Sequence, residues 1–377
     1  MNKIIVCENC VMDTTDAQIT FDKDGICDHC RTFHSDILPN WDTSPKGEKI
    51  LQKKINMIKH AGRKNDFDCI LGVSGGIDSS YLLYKVVSDF GLKPLVFHVD
   101  AGWNSQIAVN NIEKLIDKLN LDLFTEVINW EEMKALQLSF FKSGVPHIDV
   151  PQDHAFFASM YKFASKYKVK NILTGGNFST ECVRNPTQWM YYQSDSVQLK
   201  DIHSKFSDYK LSTFPMTSIL WHKLFLPYFK GIKVIRPLDY FPYEKHKATK
   251  LLVEKFNFQE YPQKHFESRF TRFYESYWLY KRFGFDTRKV QYSSLILTKQ
   301  MSRDDALLKL SKPPYDEATI RNDFEYIANK LGISVEELEG YMNLPLKSYN
   351  DYKSQSYIYS IGAKLSRIMG LERGGKR

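Results

Sequence analysis

Through the middle of the chain, short apolar runs alternate with stretches whose apolar residues recur every three or four positions. The first pattern predicts buried strands and the second predicts helices. CILGVS, from Cys69, predicts a strand, and Asp78–Phe90 predicts a helix stopped by Gly91. LVFHVD, from Leu95, is a second strand, followed by a helix over Ala108–Leu119 with Asn104 or Ser105 as its cap. LFTEVI, NILTGG and KVIRPLDY supply three more strands, from Leu123, Asn171 and Lys233, with a helix over Asp153–Lys168 between the first two. Such alternation predicts an α/β fold, a mostly parallel, doubly wound sheet with helices on both faces.

The flanks differ. Residues up to about Pro45 are polar and cysteine-rich and end in the turn-rich LPNWDTSPKG, after which Glu48–His60 reads as a helix. An aromatic-rich insertion runs from about Val183 to Lys230. Beyond Lys264 the strand signals stop, and helices are expected over Phe266–Phe283, Arg303–Leu310, Asp316–Leu331, Ser334–Met342 and Ser356–Met369. The expected division is therefore 1–45, 46–264 and 265–377.

Composition narrows the class. No stretch approaches ~18 apolar residues, so no membrane-spanning helix is expected. MNKIIVCENC lacks the apolar core and cleavage site of a signal peptide, and the expected location is cytoplasmic. The net charge of +8 is dispersed rather than gathered into a basic arm. It suits a protein handling nucleotides and anionic sugars, and equally a plain solvated surface.

Four of the six cysteines form two C-x-x-C pairs, Cys7/Cys10 and Cys27/Cys30, separated by 16 residues. That spacing is a zinc-ribbon pattern in which four thiolates close a structural tetrahedral site, with an iron–sulfur cluster as the rival. A unit this small buries little apolar surface, so its metal would supply folding energy. Cys69 reads as core, and Cys182 is assigned no chemistry.

ILGVSGGIDSSYLLYKVV, from Ile70, breaks between strand and helix at two adjacent glycines. Gly75 and Gly76 let the backbone turn and bring N–H groups close to a ligand, and the helix start adds free N–H groups and the positive end of its dipole. Ser74, Ser79 and Ser80 add hydroxyls, and Asp78 is a candidate to hold Mg²⁺ between phosphates. The bland alternative is a tight turn with Asp78 as an ordinary cap. Neither G-x-x-x-x-G-K-[ST] nor G-x-G-x-x-G is present.

Ser74-Gly75-Gly76-Ile77-Asp78-Ser79 resembles the SGGxDS motif of the PP-loop ATP pyrophosphatase superfamily, whose members cleave ATP between the α- and β-phosphates. The resemblance implies that this loop grips departing pyrophosphate, and that adenine packs beside the second strand, making Phe97, His98 and Val99 candidates. ILTGGNFSTE resembles the NAD synthetase segment that carries a threonine and a metal-binding glutamate, matching Thr174 and Glu181. RPLDYFPYEK departs from the relatives' pattern by putting Tyr243 where a phosphate-contacting lysine is expected, leaving Lys245 or Arg236 to serve.

CENCVMDTTD, CDHC, LGVSGGIDSSYL, LTGGNFSTE, PLDYFPY and KHFESRFTRFYESYWLYKRFGFD together resemble the bacterial N-acetyl sugar amidotransferases of surface-polysaccharide and flagellin-glycan biosynthesis. The resemblance implies conversion of an acetamido to an acetamidino group: ATP adenylates the amide oxygen, ammonia replaces it, and AMP and pyrophosphate leave. It also implies a partner glutaminase similar to the histidine-biosynthesis type, with its cyclase-like companion. His265, Glu267, Arg269, Thr271 and Arg272 are candidates for substrate or phosphate contact, the two arginines facing an anion. The rival readings are a PP-loop tRNA-thiolation enzyme and a non-enzymatic docking protein. Against thiolation, the C-terminal part has no C-x-x-C.

Overall fold

A computed structural model describes residues 4–359 and 361–362. Five strands, β1 (Cys69–Gly72), β2 (Pro94–Asp100), β3 (Leu123–Val127), β4 (Asn171–Leu173) and β5 (Lys233–Ile235), form one sheet in the order β3-β2-β1-β4-β5. All four pairings are parallel, with Ile70 opposite Leu95 and Ile172.

Both faces of the sheet are covered, and the period-2 alternation of strands divides the apolar residues between them. Ile70, Leu95, Phe97, Val99 and Ile172 pack into a core shared with the helices Trp130–Ser143 and Val150–Lys166. Cys69, Leu71, Val73, Val96 and Leu173 pack on the other side with Pro45–Gly62, Ile77–Ser88 and Lys245–Phe256. This is the expected doubly wound sheet.

Most expected helices are present with shifted ends. Ser105 caps Gln106–Leu119, Asp316 caps Glu317–Leu331 and Ser334 caps Val335–Met342. Of the helix expected over Ser356–Met369, residues 356–359 and 361–362 are helical, and the rest lies outside the described residues. The helix Trp130–Ser143 is unforeseen. It is buried on several sides, through Met133, Leu136, Gln137, Phe140 and Phe141, and so shows no amphipathic stripe.

The segment expected as one helix over Phe266–Phe283 starts later, at Arg269. His265 adopts a left-handed φ of 67°, and Ser268 supplies the cap. The helix widens to π geometry over Tyr274–Phe283 and ends at Gly284. Among the described residues, no helix is long and apolar enough to cross a membrane.

The N-terminal segment is seated on the C-terminal helices. The Val11 N–H donates to Ser293 Oγ, Lys289 pairs with Asp13, and Arg303 donates to the carbonyls of Cys7 and Cys10. Trp189, from the aromatic insertion, donates to the Thr15 carbonyl and packs in the same small core as Val290 and Leu297.

Candidate active site and four-cysteine centre

The order of strands reverses at β1, whose neighbours are reached by crossovers in opposite directions. In open α/β sheets such a point leaves a crevice beyond the carboxyl ends of the strands. A cavity of about 330 Å³ opens there, floored by Gly72 at the end of β1, by Ser74 just after it and by Thr174, Gly175 and Gly176 after β4.

The loop folds as its residues dictate. Gly75 has φ +82°, and a Cβ there would lie 2.7 Å from the Ala108 carbonyl oxygen. A Cβ on Gly76 would lie 2.0 Å from Glu267 Oε1, so only glycine lets that carboxylate approach. The first backbone bond of the helix runs from the Ser80 N–H to the Gly76 carbonyl, and no side chain caps this end. The N–H groups of Ile77, Asp78 and Ser79 are thus available at the positive end of a 12-residue helix. Ser74 Oγ accepts from the Gly76 N–H at 3.3 Å, and Ser79 Oγ donates to the Gly76 carbonyl.

Charge converges on the same floor. Lys264 Nζ lies 3.2 Å from Asp78 Oδ2 and 2.5 Å from Glu181 Oε1, while the Tyr243 hydroxyl donates to Asp78 Oδ1. Burial works to raise the Asp78 carboxyl, but Lys264, Tyr243 and Lys245 together hold it below its ordinary value. For Lys264, burial is outweighed by Glu181 and Asp78, which hold its ammonium above the ordinary lysine value. Lys245 also lines the cavity, and there burial prevails and lowers its pKa. Burial raises Glu267, whose Oε2 has no hydrogen-bond partner. Phe156, Phe157, Met160 and Leu173 form an apolar wall opposite.

The structure thus brings Ser74, Gly76, Asp78, Ser79, Thr174, Glu181, Lys245, His265 and Glu267 to one cavity. Gly75 shapes the turn beside it. Other candidates lie elsewhere. Arg269 is not at the cavity: its guanidinium and that of Arg272 fork onto buried Asp323, and Arg269 stacks on Tyr326 with 3.7 Å to the ring centroid. His98 is engaged on both nitrogens. Nδ1–H donates to the Val73 carbonyl at 2.8 Å, which leaves Nε2 to accept from Asn104. It holds the end of β1 rather than facing a nucleotide. Ser80 Oγ is buried, lies off the cavity lining and has no partner.

Phe97 is core, stacked on Phe156. Arg236 is held by Asp239 and the Gly176 carbonyl. Thr271 donates to Asp149 away from the cavity lining. Sequence reasoning gave no role to Lys264, Tyr261 or Gln263, which complete the lining. All three lie in irregular chain, where periodicity carries no signal.

Cys7, Cys10, Cys27 and Cys30 are fully buried, with their sulfurs all within 4.8 Å of one another. The sulfur separations of 3.8 Å for Cys7–Cys30 and 3.6 Å for Cys10–Cys27 and Cys27–Cys30 fit one tetrahedral ion. Zn–S bonds of about 2.3 Å place thiolates roughly 3.8 Å apart. A four-iron cube, with one thiolate at each corner, needs wider spacing. Cys69 and Cys182 are buried, and neither lines the cavity.

Comparison with known proteins adds a family match for the C-terminal part. The chain matches no curated protein. Among solved structures it is similar to an NH3-dependent NAD synthetase from Campylobacter jejuni in complex with nitrate, at 12% identity over 80% of this chain and 98% of that one, with a TM-score of 0.32. An NMN synthetase from Francisella tularensis gives 15%, 58% and 99%, with a TM-score of 0.28. The U34-tRNA thiolase NcsA from Methanococcus maripaludis, with its [4Fe-4S] cluster, gives 14%, 87% and 89%, with a TM-score of 0.31. Likenesses this slight do not bear on activity. Residues 267–366, which contain the ESRFTRF string and the π-helix, match the C-terminal domain of the family described as WbpG-like lipopolysaccharide-biosynthesis proteins.

Proposed function

We propose that the protein is an ATP-dependent amidotransferase acting on an N-acetylated sugar. It adenylates the acetamido oxygen and lets ammonia displace AMP, leaving an acetamidino group and releasing pyrophosphate. The observation that carries this reading is the cavity at the strand ends, where an uncapped helix start and the Ser74–Ser79 loop face two carboxylates and two lysines. The lipopolysaccharide-type domain beside it supports a sugar as the second substrate.

An amide oxygen is a poor leaving group, so converting it to an AMP ester is the step that needs assistance. The free N–H groups of the helix start and Lys245 would stabilise charge developing on pyrophosphate. Asp78 and Glu181 would hold Mg²⁺, which supplies further neutralisation at the phosphates. The apolar wall of Phe156, Phe157 and Met160 would exclude water while the ester awaits its nucleophile. The four cysteines would hold a structural zinc ion. A separate glutaminase, similar to the histidine-biosynthesis type, would supply ammonia, and its cyclase-like companion would accompany it. The cavity lining contains no cysteine among the described residues, which favours nitrogen over sulfur transfer.

The test is mass spectrometry of a diacetamido-sugar nucleotide incubated with the protein, MgATP and ammonium chloride. The expected product is about one mass unit lighter, since NH replaces O, and forms together with AMP. Release of ADP, or AMP release that requires tRNA, overturns the reading.

A further inference from the structure

Behind the cavity, between the start of helix Val150–Lys166 and the π-helix, lies a second polar group that no step above uses. Asp149 is 3% exposed and Glu275 5%. Asp149 accepts from Thr271 Oγ1 at 2.6 Å and from Gln152 Nε2 at 3.1 Å. Asp153 approaches His147 Nε2 at 3.7 Å, and Glu275 accepts from His265 Nδ1 at 2.8 Å. His265 also lines the cavity, so the two regions adjoin.

In the midst stands Tyr274, 1% exposed and stacked on His147, with Glu275, Asp149 and Asp153 as the charges around its phenol. Its hydroxyl has no hydrogen-bond partner, although the charges of Glu275, Asp149 and Asp153 all act on it. A buried hydroxyl among acceptors is costly to leave unpaired. Three carboxylates face two imidazoles, so the group is short of one cation even with both imidazoles protonated.

We propose that Asp149, Glu275 and the Tyr274 hydroxyl form a receiving site for ammonium, next to the cavity in which the nucleophile is consumed. The proposal rests on the amidotransferase reading and names the residues that deliver its nitrogen. Ammonium offers four N–H donors to a site rich in acceptors, and its single charge balances the carboxylate excess. Loss of one proton to a carboxylate oxygen converts ammonium to neutral ammonia with its lone pair free, and the carboxylate becomes a carboxyl. Burial, with Asp153 beside it, raises the pKa of Asp149 well above the ordinary range, so its carboxylate oxygen holds a proton more readily than an exposed aspartate would.

The full chain is assayed with ammonium chloride as nitrogen donor, in wild type, Tyr274→Phe and Asp149→Asn. The expected result is an ammonium KM raised about tenfold in Asp149→Asn and about threefold in Tyr274→Phe, with the ATP KM unchanged. Tyr274→Phe removes a hydroxyl that bonds nothing in the protein, so a purely structural role leaves both KM values unmoved, and that result overturns the proposal. Independently of turnover, ammonium chloride is expected to raise the wild-type Tm above that in tetramethylammonium chloride at equal ionic strength, and not that of Asp149→Asn. Equal wild-type Tm values overturn the proposal. A wild type that binds ammonium but makes no lighter sugar overturns the amidotransferase reading instead. Potassium that matches the Tm shift while the substitutions leave the ammonium KM unchanged makes this a resident metal site.

Discussion

The Lys264 ammonium lies 3.2 Å from the Asp78 carboxylate, so the acid in the first turn of helix Ile77–Ser88 is neutralised from within the protein. The same ammonium reaches Glu181 at 2.5 Å, spanning the two carboxylates proposed for Mg²⁺. Lys264 and a divalent ion bound there would therefore compete for one place. Lys264→Met is expected to tighten Mg²⁺ binding by the ATP-free protein about tenfold, or about 1.4 kcal/mol, as read by calorimetry. An unchanged Mg²⁺ affinity would remove the competition from the account.

Ser80 supplies a second test, because its hydroxyl is buried, lies off the cavity and bonds nothing. Ser80→Ala is expected to leave urea-unfolding stability within about 0.5 kcal/mol of wild type or to raise it, with AMP formation unaffected. Ser79→Ala, one residue earlier and on the cavity, is expected to raise the ATP KM. Equal effects of the two substitutions would show that Ser80 reaches phosphate after all.

The His265–Glu275 pair predicts a pH dependence. Burial opposes charge on His265, but Glu275 outweighs it and holds the pKa up at about 9. Lys264 and Glu267 face the same imidazole, the first lowering and the second raising its pKa. A raised folded-state pKa means that the pair's stabilisation is fully present below the ordinary histidine value of 6.5 and is lost as pH rises through about 9. Histidine NMR should show this titration, and Glu275→Gln should move it toward 6.5. A wild-type midpoint already near the ordinary value would exclude the pairing.

Asp323, fully buried, takes both Arg269 and Arg272. Truncating it leaves two guanidinium groups facing each other with no carboxylate. Asp323→Ala is expected to cost about 3–5 kcal/mol in urea unfolding, whereas Arg269→Met should change the ATP KM less than about twofold. A large rise in that KM would return Arg269 to the nucleotide.

Metal content tests the cysteine centre. The purified protein is expected to hold about one zinc per chain, and chelation should lower Tm. Because Arg303 and Ser293 hold the cysteine segment, chelation should also speed hydrogen exchange in the helix Arg288–Leu297. Iron with inorganic sulfide in place of zinc would contradict the reading.

Sheet and loop were legible because both depend on local pattern. The apolar runs at Cys69, Leu95 and Asn171 are buried on both faces, and the glycine pair sits where strand must become helix. The four cysteines were legible from spacing alone. Lys264 was not, because it reaches Asp78 across 186 positions of sequence from a segment without periodicity. Arg269 misled for a related reason. A basic pair three apart signals an anion, but not whether that anion is a ligand or an aspartate 54 residues away. His98 was placed on the correct strand, yet only the neighbouring Val73 carbonyl and Asn104 reveal that its nitrogens are already engaged.

The seat of the cysteine segment has a consequence for synthesis. Val11 is joined to Ser293, and Arg303 to Cys7, across 282 and 296 positions. At about 5–20 residues per second, the ribosome needs on the order of 15–60 s to supply those partners. During that interval a bound zinc ion would be the newly made cysteines' immediate stabiliser, so zinc supply in the cell would govern how safely the nascent chain waits for its other end.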